Sequence, residues 1–151
     1  MTGQLEELKV LRENGSPWDG STCGCAALGG HLEVLHWMRA NGCPWDAKTC
    51  LGAAKGGHLE VLQWARANGC PWDEKTTFFA AKMGHEALLQ ALIEAGADVN
   101  KAINNGVTPL IVAAQNGHDA VVRALIELGA DINKASDKGV TPLHIAAQKG
   151  H

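Results

Sequence analysis

Glycine recurs along this chain at fixed intervals, and this periodicity constrains the fold more than any other sequence feature. A first series is spaced by 27, 27, 27, 33 and 33 residues, and a second by 27, 27, 27 and 33 residues. Intervals of this size are typical of repeat architectures, in which each unit packs on its neighbours. The first series is Gly3, Gly30, Gly57, Gly84, Gly117 and Gly150, and the second is Gly15, Gly42, Gly69, Gly96 and Gly129.

The two intervals describe one structural unit in two lengths. A histidine follows each glycine of the first series from Gly30 onward, and the next glycine of the second series always lies 11 residues after that histidine. The six extra residues of the long units therefore fall in one connecting segment. Both series run through residue 84 without a break, which predicts one array over 1–151. Short units occupy about 3–96, and standard-length units occupy about 97–151, the last of them incomplete.

Each unit contains two helical patterns. In the second, which we name helix B, apolar residues between His58 and Gly69 follow helical spacing, and Gly69 suits the left-handed position just after a helix. The first, helix A, begins in the long units at Thr108-Pro109 and Thr141-Pro142, since Thr caps a helix and Pro fits its first position. In the short units the predicted N-caps are Asp19, Asp46 and Asp73.

The segment that connects one unit to the next differs between the two lengths. In the long units it contains Asn104-Asn105-Gly106, a tight-turn signal that predicts a hairpin-like finger. In the short units Cys-Pro-Trp-Asp replaces it and leaves room only for a flat connection, so fingers are expected only in the C-terminal half. The indoles of Trp18, Trp45 and Trp72 either fold back over the helix ends or form an exposed aromatic row.

Two motifs give the chain a family resemblance. Thr-Pro-Leu-His-x-Ala-Ala-x-x-Gly-His over 141–151 and Gly-Ala-Asp-x-Asn at 96–100 and 129–133 resemble ankyrin repeats, and 16–96 resemble a shortened variant of them. Ile111, where the family usually has His, departs from the pattern. The resemblance implies an all-α, ankyrin-type solenoid of stacked helix-turn-helix repeats. We expect four complete A–B pairs, an unpaired helix B at the start and an unpaired helix A at the end.

The resemblance also implies a function. Ankyrin repeats usually mediate protein–protein interaction, with the partner held on a concave inner face by fingers and A helices, so this chain is expected to be a scaffold and not an enzyme. The positions that match the family's contact slots are Lys55, Lys82, Met83, Asn104, Asn105, Val107, Gln115, Asn116, Asp137, Lys138, Val140, Gln148 and Lys149.

Charge follows the repeats and favours one kind of partner. Lysines recur near helix A at Lys48 and Lys75 and at Lys55 and Lys82, while glutamates recur on helix B at Glu33, Glu60 and Glu86. These rows are either two solvated faces or a basic stripe that binds an acidic peptide or protein.

Several other functions are disfavoured by the sequence. The net charge of −3 and the absence of a 20-residue apolar run argue against nucleic-acid and membrane binding. Five cysteines, an odd number, and no secretory signal at the start favour a reducing compartment, cytoplasmic or nuclear. No nucleophile elbow or phosphate-binding loop is present, so neither catalysis nor a cofactor is expected.

Disulfide formation and metal binding are alternative uses of the cysteines and histidines, and residue spacing disfavours both. Equivalent pairs such as Cys43 and Cys70 lie in successive repeats, too far apart for a disulfide. A metal site of Cys23, Cys25 and Cys50 lacks zinc-type spacing. The repeated histidines spread along the array, which favours structural roles.

A second function remains open beside the scaffold. If the array has no dedicated partner, we expect it to be a structural spacer or a self-associating fragment of a longer array. Leu143 and Ile145 lack a covering helix in the predicted arrangement. Their exposure makes association through terminal helices the alternative to a partner on the inner face.

Overall fold

Helices account for the regular structure of this protein. The computed structural model describes residues 2–151, with side chains described for residues 5–151, and no β-strand occurs in that range. The ten α-helices are α1 (Thr2–Glu13), α2 (Gly20–Leu28), α3 (Leu32–Ala40), α4 (Ala47–Gly56), α5 (Leu59–Ala67), α6 (Glu74–Lys82), α7 (Glu86–Glu94), α8 (Pro109–Asn116), α9 (Asp119–Glu127) and α10 (Pro142–Lys149).

The helices stack in two layers. The A helices, α2, α4, α6, α8 and α10, pack each on the next along the stack. The B helices α3, α5, α7 and α9 pack each on the A helix before them, and α1 occupies the B position at the start. This arrangement confirms the all-α solenoid of four A–B pairs with an additional helix at each end.

The predicted capping residues begin the A helices. The Asp19, Asp46 and Asp73 carboxylates accept hydrogen bonds from backbone N–H groups of the first turns of α2, α4 and α6. In the long repeats, Thr108 and Thr141 accept from the backbone N–H three residues on, and Pro follows each of them. Because these caps satisfy N–H groups that a helix leaves unpaired, they fix where each A helix begins.

Small residues line the contact between A helices, and larger ones come from the B helices. Ala53 and Ala81 are fully buried on A helices, as are Leu89 and Leu125 on B helices. The approach is closest between α2 and α4, where a Cβ added at Gly52 would lie 2.3 Å from the Gly24 carbonyl oxygen. A side chain at Gly52 would therefore force the two helices apart.

The repeated histidines join successive repeats. The Nε2 atoms of His58 and His118 lie 3.0 and 2.9 Å from the carbonyl oxygens of Leu28 and Lys82, at the C-terminal ends of the preceding A helices. His85 makes a longer contact of 3.4 Å with the Lys55 carbonyl. Each of these three imidazoles thus binds a carbonyl that its own helix cannot satisfy, which supports the predicted structural role for His58, His85 and His118.

The tryptophans of the short connectors fold back onto the helices. Trp18 and Trp45 make edge-to-face contacts with Trp37 and Trp64, with ring centroids 5.7 and 5.5 Å apart. All of these rings are half-buried against the core. The connector indoles therefore cover the helix ends, which decides between the two arrangements left open by the sequence.

An arginine covers the other side of each connector indole. The guanidinium carbons of Arg12, Arg39 and Arg66 lie 3.9 to 4.4 Å from the ring centroids of Trp18, Trp45 and Trp72, within cation–π distance. His36, to which the sequence pattern gives no role, is exposed on α3, and its ring lies 4.5 Å from that of Trp64.

Fingers are present in the long repeats, as predicted. Ile103 N–H donates to the Val107 carbonyl across the first finger, and Asn105 at its tip has a φ of 77°. Ser136 N–H donates to the Val140 carbonyl across the second finger. The fingers also bind each other, because the Asp137 N–H donates to the Asn105 carbonyl at 3.0 Å.

Candidate functional site

A groove between the fingers and the A helices is the first candidate binding site. We name this cavity of about 340 Å³ the finger groove. It lies on the side of the stack formed by the A helices and fingers, which we call the inner face. Its lining residues are Asn105, Val107, Ile111, Gln115, Ser136, Lys138, Val140 and Ile145.

The finger groove brings together residues that are far apart in the sequence. The predicted contact residues Asn105 and Val107 come from the first finger, Gln115 from α8, and Lys138 and Val140 from the second finger. Val107 also packs on the hydrophobic core, so it stabilises the finger as well as lining the groove.

Sequence reasoning did not assign three of the lining residues to a site. Ile111 is almost completely buried and forms the apolar floor, at the position where the family usually has His. Ile145 lies on α10 and was noted only as an uncovered apolar residue. The Ser136 hydroxyl accepts a hydrogen bond from the Val140 N–H, and its place in the finger was its only signal in the sequence.

The other predicted residues of the long repeats are exposed but do not line this groove. Asn104 and Asp137 lie at the finger tips, and Asn116 is at the end of α8, where its amide donates to the Val112 carbonyl at 2.7 Å. Gln148 and Lys149 are exposed on the last turn of α10.

A second groove occurs in the short repeats, between α2 and α4. We name this cavity of about 230 Å³ the glycine slot, because its floor lies where Gly24 and Gly52 let the two helices meet. Its lining is Ser21, Gly24, Cys25, Leu28, Lys48, Leu51, Gly52 and Lys55. The slot is thus apolar along its floor and basic along one side.

Two predicted lysines share one aromatic ring beside the glycine slot. The Nζ atoms of Lys55 and Lys82 lie 4.3 and 5.4 Å from the Phe79 ring centroid. Met83 follows at the end of α6 and is 48% exposed. Phe79, which the sequence analysis missed, therefore holds two positive charges close together on the inner face.

Charge is divided between the two layers of helices. The A helices carry five lysines and one glutamate, whereas the B helices and α1 carry nine acidic and five basic side chains. The helical part of the inner face is therefore basic and the opposite layer acidic. Such a distribution gives the A-helix side of the stack a more positive electrostatic potential than the B-helix side.

Cys23, Cys25 and Cys50, the residues of the metal alternative, are not grouped as a metal site would need. Cys23 is buried on α2, whereas Cys25 is exposed on the same helix, where it lines the glycine slot. Within residues 2–151, no three His, Cys, Asp or Glu side chains are grouped closely enough to hold a metal ion. None of the helices in this range is long and apolar enough to cross a membrane.

Comparison with known proteins identifies the repeats. Residues 77–151 match a protein-family model described as ankyrin repeats (3 copies). No curated protein matches the chain in a corresponding search. The short repeats before residue 77 have the same A–B helix pairs and the same histidine contacts as the matched part. The chain therefore belongs to the ankyrin repeat proteins.

Proposed function

We propose that this chain is a scaffold that binds a partner protein or peptide on its inner face. Ankyrin repeats generally mediate protein–protein interaction, and proteins of this kind are typically not enzymes. The observation that carries the proposal is the finger groove, where five predicted contact residues from two fingers and one A helix line a single cavity.

The whole array is proposed to act as one surface, a single domain over 1–151. The short and standard repeats are continuous in the stack, since α6 packs on α8 as α4 packs on α6. A partner is therefore able to contact the finger groove and the lysines of the short repeats together. The concave curvature of this surface and a cytoplasmic or nuclear location remain predictions.

Selection of peptides from a random library tests the finger groove. Peptides selected on the purified chain are measured against Gln115→Arg, which places a long side chain in the groove. Ala120→Arg, at an exposed position on α9, is the matched control. Loss of binding by the groove variant alone supports the proposal. Equal binding to both variants would show that the partner lies elsewhere.

An acidic partner is the finer proposal for the short repeats. Lys55 and Lys82 face no carboxylate within salt-bridge distance among the described side chains, and Phe79 holds both of them. Charge reversal in the double variant Lys55→Glu and Lys82→Glu is expected to lower the affinity for an acidic peptide at least tenfold. The loss of affinity should be larger at low salt. Lys9→Glu with Arg123→Glu changes the net charge equally on the other layer and serves as the control. Unchanged affinity in the first double variant would refute the basic stripe.

Self-association is the alternative function, and one observation favours it. Leu143 on α10 is 78% exposed, and Val10 and Leu11 on α1 are 55% and 50% exposed. Large exposed apolar side chains favour association when they form a patch. Light scattering across a dilution series distinguishes the two functions. Oligomers that dissociate on dilution would support a self-associating array in place of a dedicated scaffold, provided that the Leu143→Glu variant no longer forms them.

A further inference from the structure

Two pairs of buried thiols lie at the junctions between the first repeats, and the proposed binding surface does not include them. The Sγ atoms of Cys23 on α2 and Cys43 in the next connector are 3.4 Å apart, and both residues are fully buried. Cys50 on α4 and Cys70 in the following connector occupy the same repeat positions and are also fully buried. The Cys50 Sγ lies 4.0 Å from the Cys70 carbonyl oxygen.

These cysteine pairs are different from the pairs of equivalent cysteines that the repeat interval relates. Equivalent cysteines such as Cys23 and Cys50 belong to successive repeats and are separated by the stacking distance. The structure instead pairs non-equivalent cysteines, one from an A helix and one from the connector 20 residues later. One repeat further on, the same positions hold Thr77 and Ala97, so the feature is confined to two junctions.

The fold holds each connector cysteine against its partner. The Cys43 Sγ lies 3.7 Å from the Asp19 carbonyl oxygen, and the Cys70 Sγ lies 3.5 Å from the Asp46 carbonyl oxygen. The guanidinium of Arg39 donates to the carbonyl of Cys43, and that of Arg66 to the carbonyl of Cys70. Because the connectors have no regular secondary structure, a small shift brings the Cys23 and Cys43 sulfurs, already in contact, to the bonding distance of about 2.05 Å. Cys50 and Cys70 occupy the same repeat positions, so we expect their sulfurs to be able to approach in the same way.

The two thiols of a pair are chemically unequal. Burial raises the pKa of Cys23 to about 12, which keeps that thiol protonated. The pKa of Cys70 is lowered, first by a hydrogen bond from the Cys50 thiol, and the pKa of Cys50 is raised by the same contact. Burial also raises the pKa of Cys43, so in the first pair neither thiol is activated. In the second pair the Cys70 thiol is suited to attack as a thiolate, and the Cys50 thiol acts second.

We propose that Cys23 with Cys43, and Cys50 with Cys70, are two disulfide-forming sites that hydrogen peroxide oxidises. One thiol of a pair, Cys70 in the second pair, loses its proton and its sulfur attacks one peroxide oxygen; the O–O bond breaks, and the leaving hydroxide takes a proton to become water. The sulfenic acid that results is attacked by the other thiol of the pair. The S–S bond forms as the S–O bond breaks, and a second water leaves with the thiol proton.

The balance of this reaction fixes the class of oxidant. Two thiols lose two electrons and two protons, and one peroxide becomes two waters. Complete burial of the four sulfur-bearing residues favours an oxidant as small as hydrogen peroxide over a bulky disulfide. Each product disulfide would join an A helix covalently to the connector of the next repeat.

Peptide mapping of the folded protein after peroxide treatment tests this proposal. The fully reduced chain is exposed to hydrogen peroxide without denaturant, free thiols are alkylated, and the digest is analysed by mass spectrometry. The expected products are the cross-links Cys23–Cys43 and Cys50–Cys70. Exposed Cys25, which lies in the same peptide as Cys23, should be in neither cross-link and should be alkylated. Each loop closed holds about 20 residues, so the melting temperature should rise by roughly 5–10 °C per disulfide.

Variants distinguish specific pairing from general oxidation. Cys43→Ser should abolish the first cross-link and leave the second, whereas Cys25→Ser should leave both. Since the wild-type protein alone gives the primary result, a variant that fails to fold does not remove the test. Four thiols that stay reduced in the folded chain, or cross-links that appear only after unfolding or in random pairs, would overturn the proposal.

Discussion

The Nε2 atom of His118 lies 2.9 Å from the carbonyl oxygen of Lys82, across the boundary between two repeats. The same ring lies over Gly84, where an added Cβ would be 2.9 Å from the histidine Nδ1. The glycine and the histidine of successive repeats are therefore complementary. Their recurrence in the sequence reflects a contact between neighbouring units, in addition to the shape of each unit.

Removal of this contact should destabilise the stack at one boundary. His118→Ala is expected to lower the free energy of unfolding by about 1 kcal/mol, the net value of a typical hydrogen bond. Urea unfolding followed by circular dichroism measures the change. Gln63→Ala, at an exposed position on α5, provides the control and should change stability little. Equal stability of the wild type and His118→Ala would show that the histidine is dispensable for stacking.

The tryptophans of the short connectors should differ in their contribution to stability. Trp45 packs edge-to-face on Trp64, whereas Ala91 occupies the corresponding helix position near Trp72. We expect Trp45→Ala to cost about 3 kcal/mol of unfolding free energy. Trp72→Ala should cost about 1 kcal/mol less, because no aromatic pair is lost there. Unfolding curves of the two variants test the order, and a near-neutral Trp45→Ala would contradict the packed arrangement.

The helices and fingers could be predicted from the sequence because local residues determine them. Asp46 and Thr108 each cap the helix that follows them in the sequence, and Asn105 lies in the turn at the tip of the first finger. The thiol contact between Cys23 and Cys43 could not be predicted in this way. It depends on how a connector packs on the preceding A helix, and the repeat interval relates only equivalent positions.

The candidate site was predictable to a similar extent. Gln115 and Val140 occupy repeat positions that generally face a partner, so the family pattern identified them. Ile111 and Phe79 were missed because apolar residues on an A helix are usually core residues. Only the three-dimensional arrangement shows that one forms a groove floor and the other holds two lysines.

The N-cap of α2 should make stability depend on acid pH. Hydrogen bonds from the Ser21 hydroxyl and then the Ser21 and Thr22 N–H groups lower the pKa of Asp19 below 3.8. A carboxyl with a lower pKa in the folded state contributes stability above its unfolded pKa, and this contribution is lost as the pH falls. Asp19→Asn keeps a capping oxygen but does not titrate. Its melting temperature should therefore fall less than that of the wild type between about pH 4 and pH 2.

Two equivalent threonines should respond oppositely to the same substitution. Thr22 Oγ1 accepts a hydrogen bond from the Asp19 N–H and completes the capping box, whereas Thr76 Oγ1 is buried without a partner. Thr76→Val replaces an unsatisfied hydroxyl with a methyl group and should stabilise the protein by about 1 kcal/mol. Thr22→Val should destabilise it. Chemical denaturation of both variants decides the matter, and destabilisation by both would mean that the Thr76 hydroxyl has a partner after all.

The tip of the first finger allows backbone conformation to be separated from partner contact. Asn105 has a φ of 77°, its carbonyl accepts from the Asp137 N–H, and its side chain is exposed in the finger groove. Asn105→Ala should lower the unfolding free energy by about 1 kcal/mol, because Asn tolerates the left-handed conformation through local hydrogen bonds of its side chain and Ala does not. Asn105→Gly accepts the conformation and should be nearly neutral by the same denaturation assay. A peptide that binds the finger groove should nevertheless bind Asn105→Gly more weakly, since the amide is gone while the turn remains. Full affinity for Asn105→Gly would limit Asn105 to a structural role in the turn.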